Sequence, residues 1–289
     1  YFKARDADEA QALAAHHAAE GVDLLKTYTD VSVSAYGALA AEASRHGLLV
    51  AGHLPVRVPL GMALAAGQHS VEHPRIFLFE CYRGAAEFRA LPDPIAAYTA
   101  DMRLRFIDEH DSVRCAERMA AMAASDTWWT PTLQVLRMSA LAGNREFRED
   151  PRRRYIPYIL WAGLWQPDAD RAAAHARHAS GRDVDAELYR LAMDNVRQAH
   201  AAGVRIVAGT DAGDTYVFPG FAIHDELAEL VRAGLAPAAA LRSATIDAAR
   251  FSAACARRNA LCSPLTTKSS TLPRPRCSAC SRRFSSAQV

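Results

Sequence analysis

An α/β fold built on parallel strands is what this sequence predicts, and three observations carry the expectation. Short apolar runs alternate with Ala-rich stretches of helical spacing, several closed by a glycine, with connections of only a few residues. Four of the apolar runs end at or just before a residue able to do chemistry: Lys26, His53, His73 and Asp211. About half of the 289 residues are apolar, enough for the core that a helix-flanked sheet requires.

In chain order, residues 6–20 predict a helix with Gly21 as its stop, and V-D-L-L-K-T-Y that follows predicts a strand ending near Lys26. Residues 32–45 predict a second helix with Gly47 behind it, and L-L-V-A-G-H a second strand ending in His53. A short helix over 60–66, stopped by Gly67, leads to Q-H-S-V-E-H, a third strand ending in His73. Residues 74–125 are mostly of helical pattern, and T-W-W-T-P-T-L over 127–133 predicts a fourth strand. A long irregular insertion is expected over 137–167, of a size that builds a pocket or a lid. Its aromatics Tyr155, Tyr158, Trp161 and Trp165 fall three to four apart, as one helical face packed on the fold would have them. A long amphipathic helix over 183–202 then feeds the run Val204, Ile206, Val207, where Gly209 and Gly213 flank Asp211. Helices over 223–233 and 237–250 close the regular part.

After residue 250 the pattern ends. Residues 251–289 hold six Arg and one Lys without an acid, so with a total of +2 the first 250 residues carry +2 − 7 = −5. We therefore divide the chain into a body, 1–250, and a basic tail, 251–289, which reads either as disordered or as the product of a slipped reading frame. The body gives no general electrostatic case for nucleic acid. Cys277 and Cys280 form a C-x-x-C with no second ligand pair at zinc spacing, and the two body cysteines, Cys81 and Cys115, do not make a disulfide framework. No apolar run is long enough to span a membrane, and the opening residues Tyr-Phe-Lys-Ala-Arg, neither a signal peptide nor a Met start, predict a fragment.

Each strand-end residue, taken singly, has an ordinary reading. Asp211 would cap a turn or helix, Lys26 would be a solvated cation, and His53 or His73 a hydrogen-bonded imidazole. Jointly they mean more, because parallel strands present their ends at one face, and two imidazoles with a carboxylate suit zinc or a similar divalent ion.

The motifs V-D-L-L-K-T-Y, V-A-G-H-L-P, S-V-E-H, V-A-G-T-D-A-G and H-D-E-L-A-E-L-V-R-A-G-L-A-P-A-A-A-L-R-S-A-T resemble the metal-dependent amidohydrolase superfamily, in the branch similar to imidazolonepropionases and prolidase-like dipeptidases. The resemblance runs from about residue 22 to 250 and implies strands four to eight of a (β/α)8 TIM barrel. It implies a carboxylated Lys26 bridging two metals, His53 and His73 as ligands on strands five and six, and Asp211 as ligand and general base. It also implies hydrolysis of an amide, cyclic amide or dipeptide by metal-activated hydroxide. His224, in F-A-I-H-D-E-L, is a candidate for the substrate end of the pocket, or else a residue of the helix start. The family's H-x-H strand has no counterpart before Lys26, since His16 and His17 are adjacent and lie in an expected helix. Impaired activity of this chain is therefore expected, with a non-catalytic remnant that binds one metal or a partner as the alternative. A partial barrel with two open edges also invites self-association into a homo-oligomer.

Overall fold

In a computed structural model that describes residues 3–261 and 287–288, the short apolar runs form parallel strands: β1 (Leu24–Thr27), β2 (Leu49–Gly52), β3 (Ser70–Glu72), β4 (Trp128–Thr130), β5 (Arg205–Ile206) and β6 (Ala287–Gln288). They make two three-stranded parallel sheets, ordered β2-β1-β6 and β3-β4-β5. Between the sheets, His53 and Glu72 form a parallel bridge, and the His69 N–H donates to the Val50 carbonyl at 2.7 Å. The strands β1 to β5 thus follow one another side by side in chain order, with helices in each connection, which makes this an α/β fold.

Helix starts follow local chemistry. Asp6, Ser32 and Asp183 each accept a backbone N–H from the first turn of the helices Ala7–Ala19, Val33–Arg45 and Val184–Ala201. The helices Ala7–Ala19 and Val33–Arg45 bury Ala10, Ala14, Tyr36 and Leu39 with Leu25 and Val50, so the first two strands have a core of their own. The larger core gathers Val71, Trp129 and Ile206 from the other sheet with Leu188 and Val196 of the long helix Val184–Ala201.

Four expectations need correction. The segment 137–167 is mostly helical, passing through Leu133–Leu141, Arg145–Arg148, a 3-10 turn Pro151–Tyr155, Tyr158–Leu160 and a π turn Trp161–Trp165 before the helix Gln166–His175. Ion pairs of Arg148 with Asp170, and of Arg152 with Asp150 and Asp225, hold it where apolar periodicity does not. Because the helix type changes along it, the three-to-four spacing does not keep its aromatics on one face: Trp165 is fully buried against Tyr216 and Phe218, whereas Tyr155 and Tyr158 are exposed. The fourth strand ends at Thr130, and Leu133 already begins a helix. The closing helix Ile246–Leu261 runs past residue 250 without a break. Cys81 and Cys115 are joined in a disulfide that closes 34 residues, in the larger core. The C-x-x-C of Cys277 and Cys280 lies outside the described residues. No helix among the described residues is long and apolar enough to cross a membrane.

Candidate metal centre

Lys26, His53, His73 and Asp211 line one cavity of about 210 Å³, together with Arg75 and Asp214. Lys26 stands on β1, and His53 is the residue after β2. The preceding Gly52, at φ 108°, has no room for a side chain: a Cβ there would lie 2.6 Å from the Thr27 carbonyl oxygen and 2.7 Å from Lys26 Cγ. Gly209 plays the same part before Asp211, where a Cβ would lie 2.4 Å from Thr130 Cγ2. Both glycines let one strand end approach its neighbour closely enough for the side chains to converge.

The two histidines are held from behind. Nδ1 of His53 meets the Thr29 hydroxyl at 2.7 Å, and Nδ1 of His73 meets the Thr132 hydroxyl at 2.8 Å. The Tyr28 ring stacks on His53 with centroids 4.3 Å apart. The two Nε2 atoms are left facing each other at 2.9 Å, and Asp211 Oδ2 is 4.0 Å from Nε2 of His73. Burial, then the neighbouring His73, Lys26 and Arg75, push the His53 pKa down to about 3 against the pull of Asp211. Burial, then Arg75 and Lys26, push His73 to about 3 as well. Both rings are therefore neutral at pH 7.

Backbone strain collects at the same place. Among the described residues, non-glycine residues take a positive φ at His73 (72°), Thr132 (47°), Asp211 (55°) and Tyr216 (57°), and three of these four belong to the cavity wall or hold it. Such conformations cost free energy and persist where surrounding contacts over-determine them. For His73 those contacts are its N–H to the Thr130 carbonyl at 2.8 Å and its carbonyl, which accepts from Trp129 Nε1 at 2.9 Å.

Glu72 is the residue that the sequence reading passed over. Its Oε2 pairs with Lys26 Nζ at 2.9 Å, and its carboxylate and the two imidazoles present ligand atoms all within 4.8 Å of one another. It sits in the quoted motif S-V-E-H, beside His73, and its only signal there is that adjacency. His224 is elsewhere: it is exposed in the first turn of the helix Ala222–Arg232 and does not line this cavity.

The donors fit a divalent cation. With each Nδ1–H given to its threonine, both Nε2 lone pairs point at the same space, an arrangement that a shared cation relieves. Two neutral nitrogens with carboxylates alongside are the donor chemistry of zinc and its neighbours.

No family model matches the sequence, and no curated protein matches it. Solved structures do. A bottromycin amidohydrolase is similar at 27% identity and a TM-score of 0.64, over 87% of this chain and 50% of its own. A Xaa-Pro dipeptidase with methionine bound in its active site is similar at 21% identity and a TM-score of 0.47, over 86% of this chain and 48% of its own. The chain thus spans about half the length of these structures. The ordered motifs from residue 22 onward and the fold shared with that amidohydrolase agree, and both support a likeness to the amidohydrolase superfamily.

Proposed function

We propose that this chain carries the chemistry of a metal-dependent hydrolase of carbon–nitrogen bonds, acting on a small molecule with an amide, cyclic amide or dipeptide link. The observation that supports this best is the pair of buried, neutral imidazoles whose Nε2 atoms meet 2.9 Å apart in a cavity that Asp211 also lines. We read the sequential strands β1 to β5 as strands four to eight of a (β/α)8 barrel, whose chemistry sits at the carboxyl ends of the strands.

In this reading His53 and His73 hold a divalent ion, zinc by donor type, with Asp211 beside them. The bound ion supplies a Lewis acid that polarises the scissile carbonyl and acidifies water. Asp211, half exposed at the rim, takes a proton from the attacking water and returns it to the leaving nitrogen. Thr29 and Thr132 fix the ring orientations so that Nε2, not Nδ1, faces the substrate space. Lys26, carboxylated, adds an anionic oxygen donor; this requires it to leave its pairing with Glu72, because the two would then be like charges. With Lys26 as the free ammonium, Glu72 offers a carboxylate oxygen within 4.8 Å of a ring nitrogen of each imidazole.

Among the described residues there is one such donor set around the cavity, so we expect this 289-residue chain alone to hold about one ion and to turn over weakly. Metal analysis of the purified chain, with hydrolysis of N-acyl amino acids and dipeptides, tests the reading. About one zinc per chain, lost in His53→Ala and His73→Ala, with turnover that depends on it, is the expected result. No zinc uptake sinks the assignment; uptake with no turnover leaves a metal-binding relative of these hydrolases.

A further inference from the structure

A second cavity, of about 110 Å³, shares its wall with the first: His53, His73 and Arg75 line both, and Glu72 joins them on the side of the second. Away from that shared wall it becomes apolar, bounded by Leu54, Val56, Ile76, Phe79, Ile95 and Tyr98. Its far side meets the buried pair Glu80 and Arg89. That pair needs no charge from a ligand: Glu80 also accepts the Leu60 N–H at 2.9 Å and lies 3.7 Å from Arg118 Nε. Arg75 stays at the shared wall; beyond it, a charged group entering the apolar part would lose water and meet only Glu80 and Arg89, already paired with each other, while an apolar group would lose only its contact with water.

The outer wall is a loop, residues 91–99, which supplies Pro94, Ile95 and Tyr98. Its start is fastened by one side chain. Arg57, four residues after His53, donates from Nη1 to the carbonyls of Arg89 (3.1 Å) and Leu91 (2.9 Å), and from Nη2 to that of Pro92 (2.5 Å). The loop is thereby tied to the segment that carries the candidate ligand, so the apolar wall and the imidazoles keep a fixed spacing.

We infer that this cavity is the specificity pocket of the site, that it takes an uncharged apolar side chain of about leucine size next to the scissile amide, and that Phe79, Ile95 and Tyr98 set its reach. The inference rests on the hydrolase reading for its chemistry, and Arg57 acts in it as a positioning residue.

The test uses the full chain with and without added zinc, and the N-acetyl amides of L-alanine, L-leucine and L-glutamate as probes, with binding read by ligand-observed NMR. The leucine amide should bind at least about tenfold more tightly than the other two, as pockets that enclose extra methylenes do. Ile95→Trp, at a residue 44% exposed and so tolerant of change, should fill the space and abolish the preference, and Ile95→Ala should shift it toward phenylalanine amide. Equal or undetectable binding of the three amides, or a leucine preference unaltered by Ile95→Trp, overturns the inference. The two readings fail separately. A leucine preference without zinc uptake keeps the pocket and removes the hydrolase, and zinc uptake without a preference does the reverse.

Discussion

Among the described residues, two clusters bring histidine together with other metal-capable side chains, and they are put to different uses. Around β2 and β3, His53, Glu72 and His73 bring their donor atoms together beside the 110 Å³ cavity that all three line. Some residues further along, Cys81, His110 and Cys115 are equally close together, yet the two sulfurs are spent on each other in a disulfide inside the core. The difference teaches that closeness of donors does not make a site. In the first cluster each imidazole has one nitrogen committed to a threonine and the other left for a ligand, and there is space in front of it. In the second the sulfurs are bonded to each other, so neither can become the thiolate that binds a metal, and both cysteines are fully buried.

Changes ranked by their effect on the bound ion would sharpen this contrast. His73→Ala removes a direct donor and should abolish measurable zinc uptake, checked by metal analysis and competition with a chelator. Thr132→Val keeps the shape and removes only the hydroxyl that orients His73; zinc affinity should fall about 10–100-fold, as for other losses of a group that orients a ligand. If Thr132→Val binds zinc as tightly as the parent, the hydroxyl does not set the ring.

Glu226→Gln should affect the ion little and the pH dependence of stability clearly. The Glu226 carboxyl is fully buried and accepts the N–H groups of Leu133 and Gln134, at the start of the helix that follows Thr132. Burial pushes its pKa up to about 8 from the 4.5 of a free glutamate. The folded chain therefore holds a proton that the unfolded chain gives up, and this group's contribution to stability is full below pH 4.5 and declines as pH rises toward 8. Thermal melts between pH 5 and 8 should show a fall in the parent that is smaller in Glu226→Gln; parallel curves would contradict the assignment.

Replacing both Cys81 and Cys115 with Ala should leave zinc binding unchanged. Freeing a 34-residue loop in the unfolded chain should cost about 3–4 kcal/mol of stability by the chain-entropy estimate. A loss of zinc in that double variant would show that the two clusters are coupled after all.

Much of the fold is written in short range. The strands before Lys26, His53 and His73 and the stops at Gly21, Gly47 and Gly67 depend on neighbours a few residues away, and the structure places them where the pattern does. The gathering of Lys26, His53, His73 and Asp211 in one cavity follows from parallel strands and was also legible. What supports them was not. Thr29 and Thr132 are unremarkable loop residues until the fold sets each against an imidazole, and the partners Thr132 and His73 are 59 residues apart. The Cys81 to Cys115 link is hidden for the same reason. In 137–167, charge pairs such as Arg152 with Asp225, 73 residues away, fix the helices, and no local period announces them.

The disulfide also has a topological consequence. Its Cα atoms are 4.5 Å apart, and the segment between them contains the whole loop 91–99 that forms the apolar wall, but no strand. That segment is a cassette whose two ends are already pinned together. A protease cut inside the loop should leave one covalent molecule that separates into two pieces only after reduction. A segment of different length and side chains, spliced between the same two cysteines, would trade one pocket wall for another while leaving the ligand-bearing strands as they are.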